Sequence, residues 1–120
     1  MPMPAGHGDV VMVDFPYGEG SSSKLRPAVV IQCDADNRRL GTIIVAMITK
    51  QTALAGREPR HILIDISTEA GKASGLWLQS VVNCSQLATI KSGRVIRRLG
   101  RLSDPLMEQL SDSLRAGLGL

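Results

Sequence analysis

Residues 24–34 read KLRPAVVIQCD, and this stretch decides how the first half of the chain folds. A proline disfavours helical conformations in the residue before it, so Pro27 holds Arg26 extended, and proline is tolerated at the first residue of a strand. The β-branched run that follows predicts a strand from Pro27 to Gln32. Side chains alternate along a strand, so Arg26 shares a face with Ala28. A permanent cation is therefore expected on a stiff backbone at the mouth of this strand.

The next apolar segment, Thr42 to Ile48, is predicted to pair with this strand as an antiparallel hairpin across the loop CDADNRRLG. With pairing symmetric about the loop, Arg26 lies opposite Thr49, whereas a shift of one residue would put them on opposite faces. A guanidinium is a planar, always protonated fork of donors suited to phosphate. The pair therefore predicts anion binding or stabilisation of a phosphorane-like transition state. The alternatives are a solvated strand-end arginine and a threonine that only satisfies a turn.

The other segments have the patterns of a mainly β protein with a C-terminal helix. Further strands are predicted for VVMVDF ending at Pro16, for His61 to Ile66, and for Gln79 to Asn83 with an extension through QLATI; PYGEGSSSK at 16–24 is predicted to be a mobile loop. Because no helices alternate with these strands, a small, strongly curved antiparallel sheet or barrel is expected, and a parallel sheet is not.

The last segment, SDPLMEQLSDSLRAGLGL, changes to a helical period. Its apolar residues recur at three- and four-residue spacing: Leu106, Met107, Leu110, Leu114 and Leu118. Ser103 or Asp104 can cap the start, and Gly117 or Gly119 can end the helix. We expect an amphipathic helix packed on the sheet.

Length and composition fit one domain. The chain has 120 residues, of which 43% are hydrophobic and 21% charged, so residues 8–120 are expected to form a single domain behind a flexible tail at 1–7. The longest apolar run, IIVAMI, is too short to span a membrane, and the N-terminus lacks a secretion signal, so a cytoplasmic protein without membrane contact is expected.

Cysteine and charge patterns add two expectations about ligands. Cys33 and Cys84 lack metal-ligand spacing, so neither a metal site nor a disulfide is expected. The net charge is +3, and five basic residues with no acidic one lie between positions 91 and 101. This run indicates either a polyanionic partner or a solvated face.

Several separated motifs together resemble the MazF/PemK family of bacterial toxins. They are GDVVMVDFP, KLRPAVVIQ, IIVAMITKQ, REPRHILID, SVVNCSQLATI and the terminal helix, in order and with compatible spacing from about Gly8 to the C-terminus. The resemblance implies a small Src-homology-3-like antiparallel β-barrel of the MazF/CcdB toxin type, with a C-terminal helix, in a homodimer. It also implies a cognate antitoxin.

The function that the resemblance implies is a sequence-specific endoribonuclease that uses neither a metal nor another cofactor. Such an enzyme cuts single-stranded messenger RNA by attack of a 2'-hydroxyl on the adjacent phosphate. The products are a 2',3'-cyclic phosphate and a 5'-hydroxyl, and translation and growth stop. The arginine of the family's RP motif falls on Arg26 and the threonine after the third strand falls on Thr49, so these two are the expected catalytic residues.

The resemblance also assigns residues to RNA binding. The set is Tyr17, Gly20, Ser21, Ser22, Lys24, Lys50, Gln51, Pro59, His61 and Gln86. His61 follows the family's P-x-H pattern and is expected either to contact RNA or support the structure, or to act as the base. Ser85 stands where many relatives carry an acidic residue. The alternatives are a non-enzymatic gyrase poison of the CcdB type, and an RNA-binding module without activity.

Overall fold

The computed structural model describes residues 5–16, 23–53 and 56–120. The strands are β1 (Asp9–Pro16), β2 (Ser23–Val30), β3 (Thr42–Thr49), β4 (His61–Ile64), β5 (Ser80–Lys91) and β6 (Val95–Arg101). The helices are α1 (Asp34–Arg39), α2 (Glu69–Ala73) and α3 (Asp104–Leu118), and a short 3-10 turn covers Ser92–Arg94. No helix among the described residues is long and apolar enough to cross a membrane.

The strands form one antiparallel sheet in the order β4-β5-β3-β2-β1-β6. The predicted mainly β fold with a C-terminal helix is therefore confirmed, and the arrangement is barrel-like. Over the described ranges the sheet is not closed, because β4 and β6 are its two edges. The long strand β5 pairs with both β3 and β4, so it connects the edge strand β4 to the rest of the sheet.

Apolar side chains form two buried clusters. The first packs α3 against β4 and β5 and contains Val10, Val29, Ala46, Ile48, Ile62, Ile64, Leu76, Val82, Cys84, Leu102, Leu106 and Leu110. The second contains Val11, Val13, Ala28, Val30, Ile43, Val45, Met47 and Ile90. Neighbouring residues of β1 and β2 alternate between the clusters, as side chains of a strand must. Burying one leucine such as Leu110 stabilises the fold by about 1.5–3 kcal/mol.

The terminal helix begins and ends at predicted residues. The Ser103 hydroxyl accepts a hydrogen bond from the Leu106 amide at 3.4 Å and caps the first turn. Gly119 ends the helix in the left-handed conformation with φ of 71°, which glycine adopts without a steric penalty. Leu106 and Leu110 are buried in the first cluster.

Several elements differ from the sequence prediction, among them the short helix α2, which lies in a predicted loop. α1 lies inside the predicted loop 33–41, and it has no buried residue, so it carries no apolar periodicity to reveal it. β6 lies in the basic run, where most of its residues are exposed at the sheet edge. β2 begins at Ser23 rather than at Pro27, because Lys24 and Leu25 still pair with β1.

Residues 5–7 of the predicted tail contact the folded chain. The Gly6 amide donates to Asp9 Oδ2 at 2.7 Å, and the His7 amide donates to Asp34 Oδ1 at 2.8 Å. Ala5 packs against the second apolar cluster. Residues 1–4 lie outside the described ranges.

Candidate active site

The register of the β2–β3 hairpin decides which side chains meet at its end. Ala28 pairs with Met47, Val29 with Ala46 and Val30 with Val45. Continued by two residues, this register sets Arg26 opposite Thr49. It is the symmetric register that the sequence predicts.

Pro27 ends the pairing between β2 and β3. The Ile31 amide donates to the Ile44 carbonyl of β3 at 3.0 Å, and the Val30 carbonyl accepts from Gly8 on the other side of β2. Because backbone groups alternate in direction along a strand, the nitrogen of Pro27 faces β3, like that of Ile31. Proline has no N–H to donate. The ladder accordingly stops at Ala28, although both strands continue beyond it.

An open pocket of about 210 Å³ lies where the ladder stops. The hairpin supplies most of the lining, with Leu25, Arg26 and Pro27 of β2 and Ile48, Thr49 and Lys50 at the end of β3. The rest of the lining is Met12 of β1 together with Leu76, Trp77, Leu78 and Ser80. The two expected catalytic residues therefore line one cavity, together with a second cation at Lys50.

The hydroxyl of Thr49 is oriented by its own turn. Its Oγ1 accepts a hydrogen bond from the Gln51 amide at 3.2 Å. The bond uses one lone pair of the oxygen and leaves the O–H able to donate. Thr49 therefore satisfies a turn, as one interpretation of the sequence proposed. Because its oxygen accepts this bond, its O–H is left to donate to a bound anion.

The charge of the pocket is one-sided. Arg26 and Lys50 line it, and no described residue of the lining is acidic. Lys24 is exposed on the same strand, two residues before Arg26. A cavity with cations and a hydroxyl donor beside apolar walls suits a ligand that is anionic in one part and flat and apolar in another.

Leu76, Trp77 and Leu78 form a wall of the pocket that the sequence analysis missed. Trp77 is 61% exposed and Leu78 50% exposed, so large apolar side chains face solvent beside the cations. The segment lies outside every predicted strand and helix. The sequence signal for this wall was the run of adjacent apolar residues in GLWLQ, which fits neither a helical nor a strand period.

The other described RNA-binding candidates do not line this pocket, although the Gln51 amide donates to Thr49 Oγ1 at its edge. Lys24 pairs with Phe15, and Gln51 is exposed next to Lys50. His61 begins the edge strand β4 and pairs with Asn83, so β5 separates it from β3. Its Nδ1 is buried and has no hydrogen-bond partner in the described part of the chain.

Two further candidates are exposed on other parts of the surface. Pro59 precedes β4, and Gln86 lies in a bulge of β5 where Ala46 pairs with Leu87 but Met47 pairs with Asn83. Neither lines the pocket that contains Thr49. Tyr17, Gly20, Ser21 and Ser22 lie outside the described residues.

The basic run is partly neutralised by β1. Arg98 Nε lies 3.1 Å from Asp9 Oδ1, and Arg94 NH1 lies 3.9 Å from Asp14 Oδ2. These pairs attach β6 and the 3-10 turn before it to β1, and the exposed Arg94–Asp14 pair fits the solvated-face interpretation of the run. An exposed pair of this kind contributes little, about 0–1 kcal/mol, whereas Arg98 reaches a buried carboxylate at Asp9.

Neither of the two cysteines lines the pocket. Cys33 is exposed beside α1, and Cys84 is buried, where desolvation raises the pKa of its thiol. Within the described ranges, no three His, Cys, Asp or Glu side chains are grouped to hold a metal ion.

Comparison with known proteins gives consistent matches along the chain. Residues 7–118 match the family described as PemK-like, MazF-like toxin of type II toxin-antitoxin system. Endoribonuclease EndoA of Bacillus subtilis (strain 168) is 35% identical over 114 residues, which are 94% of this chain and 93% of the relative. Endoribonuclease MazF of Staphylococcus saprophyticus is 33% identical, covering 94% of this chain and 90% of the relative.

Solved structures share the fold at lower identity. A mycobacterial endoribonuclease in complex with its cognate antitoxin superposes with a TM-score of 0.76 at 20% identity, covering 97% of this chain and 96% of the other. The MazE-MazF complex of Deinococcus radiodurans gives a TM-score of 0.78 at 18% identity, covering 98% and 99%. The described sheet and helix therefore have the fold of these toxins.

Proposed function

Because the chain belongs to the PemK-like, MazF-like toxins of type II toxin-antitoxin systems, we propose that it is a toxin endoribonuclease whose active site is the pocket between Arg26 and Thr49. The observation that carries the assignment of the site is the hairpin register. It puts a permanent cation and an oriented hydroxyl at the lip of one cavity, at the point where the ladder stops.

The reaction that suits this site is an internal transfer of the RNA phosphate. The 2'-oxygen forms a bond to phosphorus, the bond from phosphorus to the 5'-oxygen breaks, and a 2',3'-cyclic phosphate and a 5'-hydroxyl result. Arg26 stabilises the charge that develops on the phosphate oxygens, and Thr49 donates to one of them. A hydrogen bond to a charged group contributes about 1.5–3 kcal/mol. The 2'-proton leaves to water or to a base outside this pair, and the departing 5'-oxygen takes a proton from water or from an acid outside this pair.

Arg26 acts here as an electrostatic group. A guanidinium keeps its protons at any physiological pH, so it is a poor proton donor and a strong stabiliser of negative charge. The chemistry needs no metal ion, since the attacking oxygen belongs to the substrate. Lys50 and Lys24 would hold the flanking phosphates, and Gln51, Pro59, His61 and Gln86 extend the proposed RNA contact beyond the pocket.

The proposed partners follow from the same surface. Structures of relatives include a MazE-MazF complex and an endoribonuclease with its cognate antitoxin. We propose that an antitoxin inhibits this protein by covering the cationic pocket with an acidic segment, and that the toxin acts as a homodimer. We propose a cytoplasmic location, because messenger RNA is the substrate.

The test is cleavage of a long, defined single-stranded RNA by antitoxin-free protein in EDTA, with sequencing of the 5'-hydroxyl ends. Thr49→Ala should cut at least about 10-fold more slowly, because the pocket loses a transition-state donor. Thr42→Ala, at the other end of β3, is the matched control and should cut normally. Equal rates for Thr49→Ala and wild type would refute the site, and no cleavage in EDTA would refute the metal-free reaction.

The gyrase-poison alternative is not favoured. The relatives at 35% and 33% identity are named endoribonucleases, and they cover more than nine-tenths of this chain.

A further inference from the structure

The chain has a single tryptophan, and it lies in the wall of the proposed active site. Trp77 is 61% exposed and lines the same pocket as Arg26 and Thr49. Leu78 and Leu25, which are 50% and 61% exposed, extend the apolar surface. Large apolar groups that cluster in solvent beside cations mark a binding surface.

The backbone that carries Trp77 is anchored by close packing against β6. A Cβ at Gly75 would lie 2.0 Å from the Leu99 carbonyl oxygen, and a Cβ at Gly100 would lie 2.3 Å from the Ala73 carbonyl oxygen. Gly75 also has φ of 76°, a conformation that disfavours other residues. The two backbones therefore touch directly, and only glycine fits at either contact.

Two serines hold the ends of the same segment. Ser74 is fully buried, and its Oγ accepts from the Leu76 amide at 3.2 Å. The Ser80 Oγ donates to the Leu78 carbonyl at 2.7 Å. The backbone on both sides of Trp77 is thus ordered before a ligand binds. Binding on the indole therefore costs little backbone conformational entropy.

The surroundings of the indole select the kind of ligand. Arg26 and Lys50 supply positive charge, Thr49 supplies a hydroxyl donor, and no acidic side chain appears in the described lining. A nucleotide has the matching parts, since its phosphate suits the cations and its base has a flat π-face. An apolar peptide would match the indole and the leucines but has no anionic group to place beside Arg26 and Lys50.

We propose that Trp77 is a stacking platform for a nucleobase next to the scissile phosphate. The proposal rests on the proposed function, because the phosphate on Arg26 fixes where the base lies. Stacking on an aromatic ring is tolerant of base identity. Trp77 therefore sets how tightly RNA is held, whereas the choice of cut sequence belongs to other residues.

The experiment uses the full chain and a single-stranded RNA oligonucleotide with the mapped cut sequence and a 2'-deoxy sugar at the attacking position. Because Trp77 is the sole tryptophan, fluorescence excited at a wavelength that only tryptophan absorbs reports on this wall and not on Tyr17. We expect quenching that saturates with the Kd measured by anisotropy of labelled RNA. Trp77→Leu should weaken binding about 5- to 100-fold, whereas Trp77→Phe should retain most of the affinity.

Trp77→Leu keeps an apolar side chain but removes the aromatic ring, so it separates stacking from burial of apolar surface. Leu40→Ala, an exposed leucine beside α1, is the matched control and should bind as wild type. Both Trp77 variants should cut RNA at the same sequence as wild type. The effect of each substitution on cleavage should appear in KM. The platform would be overturned by unchanged fluorescence on binding or by equal affinity of Trp77→Leu and wild type. Loss of self-association of Trp77→Leu in sedimentation would also overturn it, in favour of a protein interface.

Cleavage by the wild type is read separately, so the two proposals can fail independently. If wild-type protein cuts RNA and Trp77→Leu binds and cuts equally well, the platform is wrong and the endoribonuclease stands. If no RNA is ever cut, a single-stranded RNA of arbitrary sequence replaces the oligonucleotide, and saturable quenching would then leave Trp77 as a nucleobase-binding residue while the endoribonuclease is wrong.

Discussion

The two ends of strand β3 are built in opposite ways. At the Thr42 end, Gln32 is only 6% exposed, and its amide donates to Asn37 Oδ1 at 3.0 Å and to the Thr42 carbonyl at 2.8 Å. The Asn37 amide donates back to the Gln32 carbonyl at 3.0 Å. At the Thr49 end, the ladder stops at Pro27, and cations and exposed apolar side chains surround a cavity.

The difference assigns stability to the closed end of the hairpin and supports the proposal that the open end binds a ligand. Polar groups at the closed end satisfy one another, which is the usual requirement for buried polar atoms. The open end leaves a cross-strand bond unmade and apolar side chains in water, a combination that a ligand can satisfy. Removing the polar groups of the closed end should alter stability, and removing the side chains that line the cavity at the open end should alter activity.

The largest expected effect is at the anchor of the open end. Gly75→Ala combines a disfavoured positive φ with a Cβ 2.0 Å from the Leu99 oxygen, so it should lower the free energy of unfolding by about 3–5 kcal/mol. Gly41→Ala, at the closed end, meets no atom within 4 Å and should be neutral or slightly stabilising. Urea denaturation measures both, and equal stabilities would show that the wall carrying Trp77 is not anchored as described.

The second effect is on catalysis. Arg26→Ala should lower kcat/KM by about 100- to 1,000-fold, the range for loss of one electrostatic donor to a transition state. Arg26→Lys should recover only part of this, because an ammonium lacks the planar fork. Arg38→Ala, on α1 at the closed end, should cut RNA like wild type, and a comparable loss there would mean that the two ends do not differ in function.

The third effect tests the closed end itself. Gln32→Leu keeps the size of the side chain but leaves Asn37 and the Thr42 carbonyl without their donor, so it should cost about 1–3 kcal/mol of stability. Cleavage at a temperature where the variant is folded should be unchanged. A lower kcat with unchanged stability would instead connect this end to the active site.

The smallest effect concerns the two thiols. Burial raises the pKa of Cys84, so the thiol is neutral at pH 8, and stability falls as pH rises from the ordinary thiol pKa toward the raised one, because the unfolded chain loses this proton first. Iodoacetamide at pH 8 should label exposed Cys33 and spare Cys84, as mass spectrometry can show. A fluorophore on Cys33 would then report from the closed end, and its signal should change less on RNA binding than that of Trp77.

The sequence predicted the strands that carry regular apolar patterns, together with α3. It also predicted the hairpin register, because the two apolar runs flank their connection symmetrically. It did not predict α1, which buries no residue, or β6, whose exposed arginines hide the strand period at a sheet edge. Local pattern reports burial, so elements that bury little are invisible to it.

The residues that line the candidate site could be predicted in part, for a related reason. Arg26 and Thr49 belong to adjacent strands, so local pairing rules bring them together. The wall with Trp77 reaches the pocket through the contact of Gly75 with Leu99, more than 20 residues apart in the chain, and close approach between two backbones leaves no periodic signal. The assignments of His61 and Gln86 to RNA binding stay predictions, since both lie on other strands.

Pro27 has a thermodynamic consequence in the unfolded chain. Leaving one ladder bond unmade forgoes about 0.5–1.5 kcal/mol. A proline in a compatible conformation also restricts the unfolded ensemble, which favours the folded state by about 0.4–1 kcal/mol. The two terms nearly cancel, so the gap between β2 and β3 is kept open at almost no net loss of stability. The protein therefore does not need strain, or a ligand, to hold its hairpin apart.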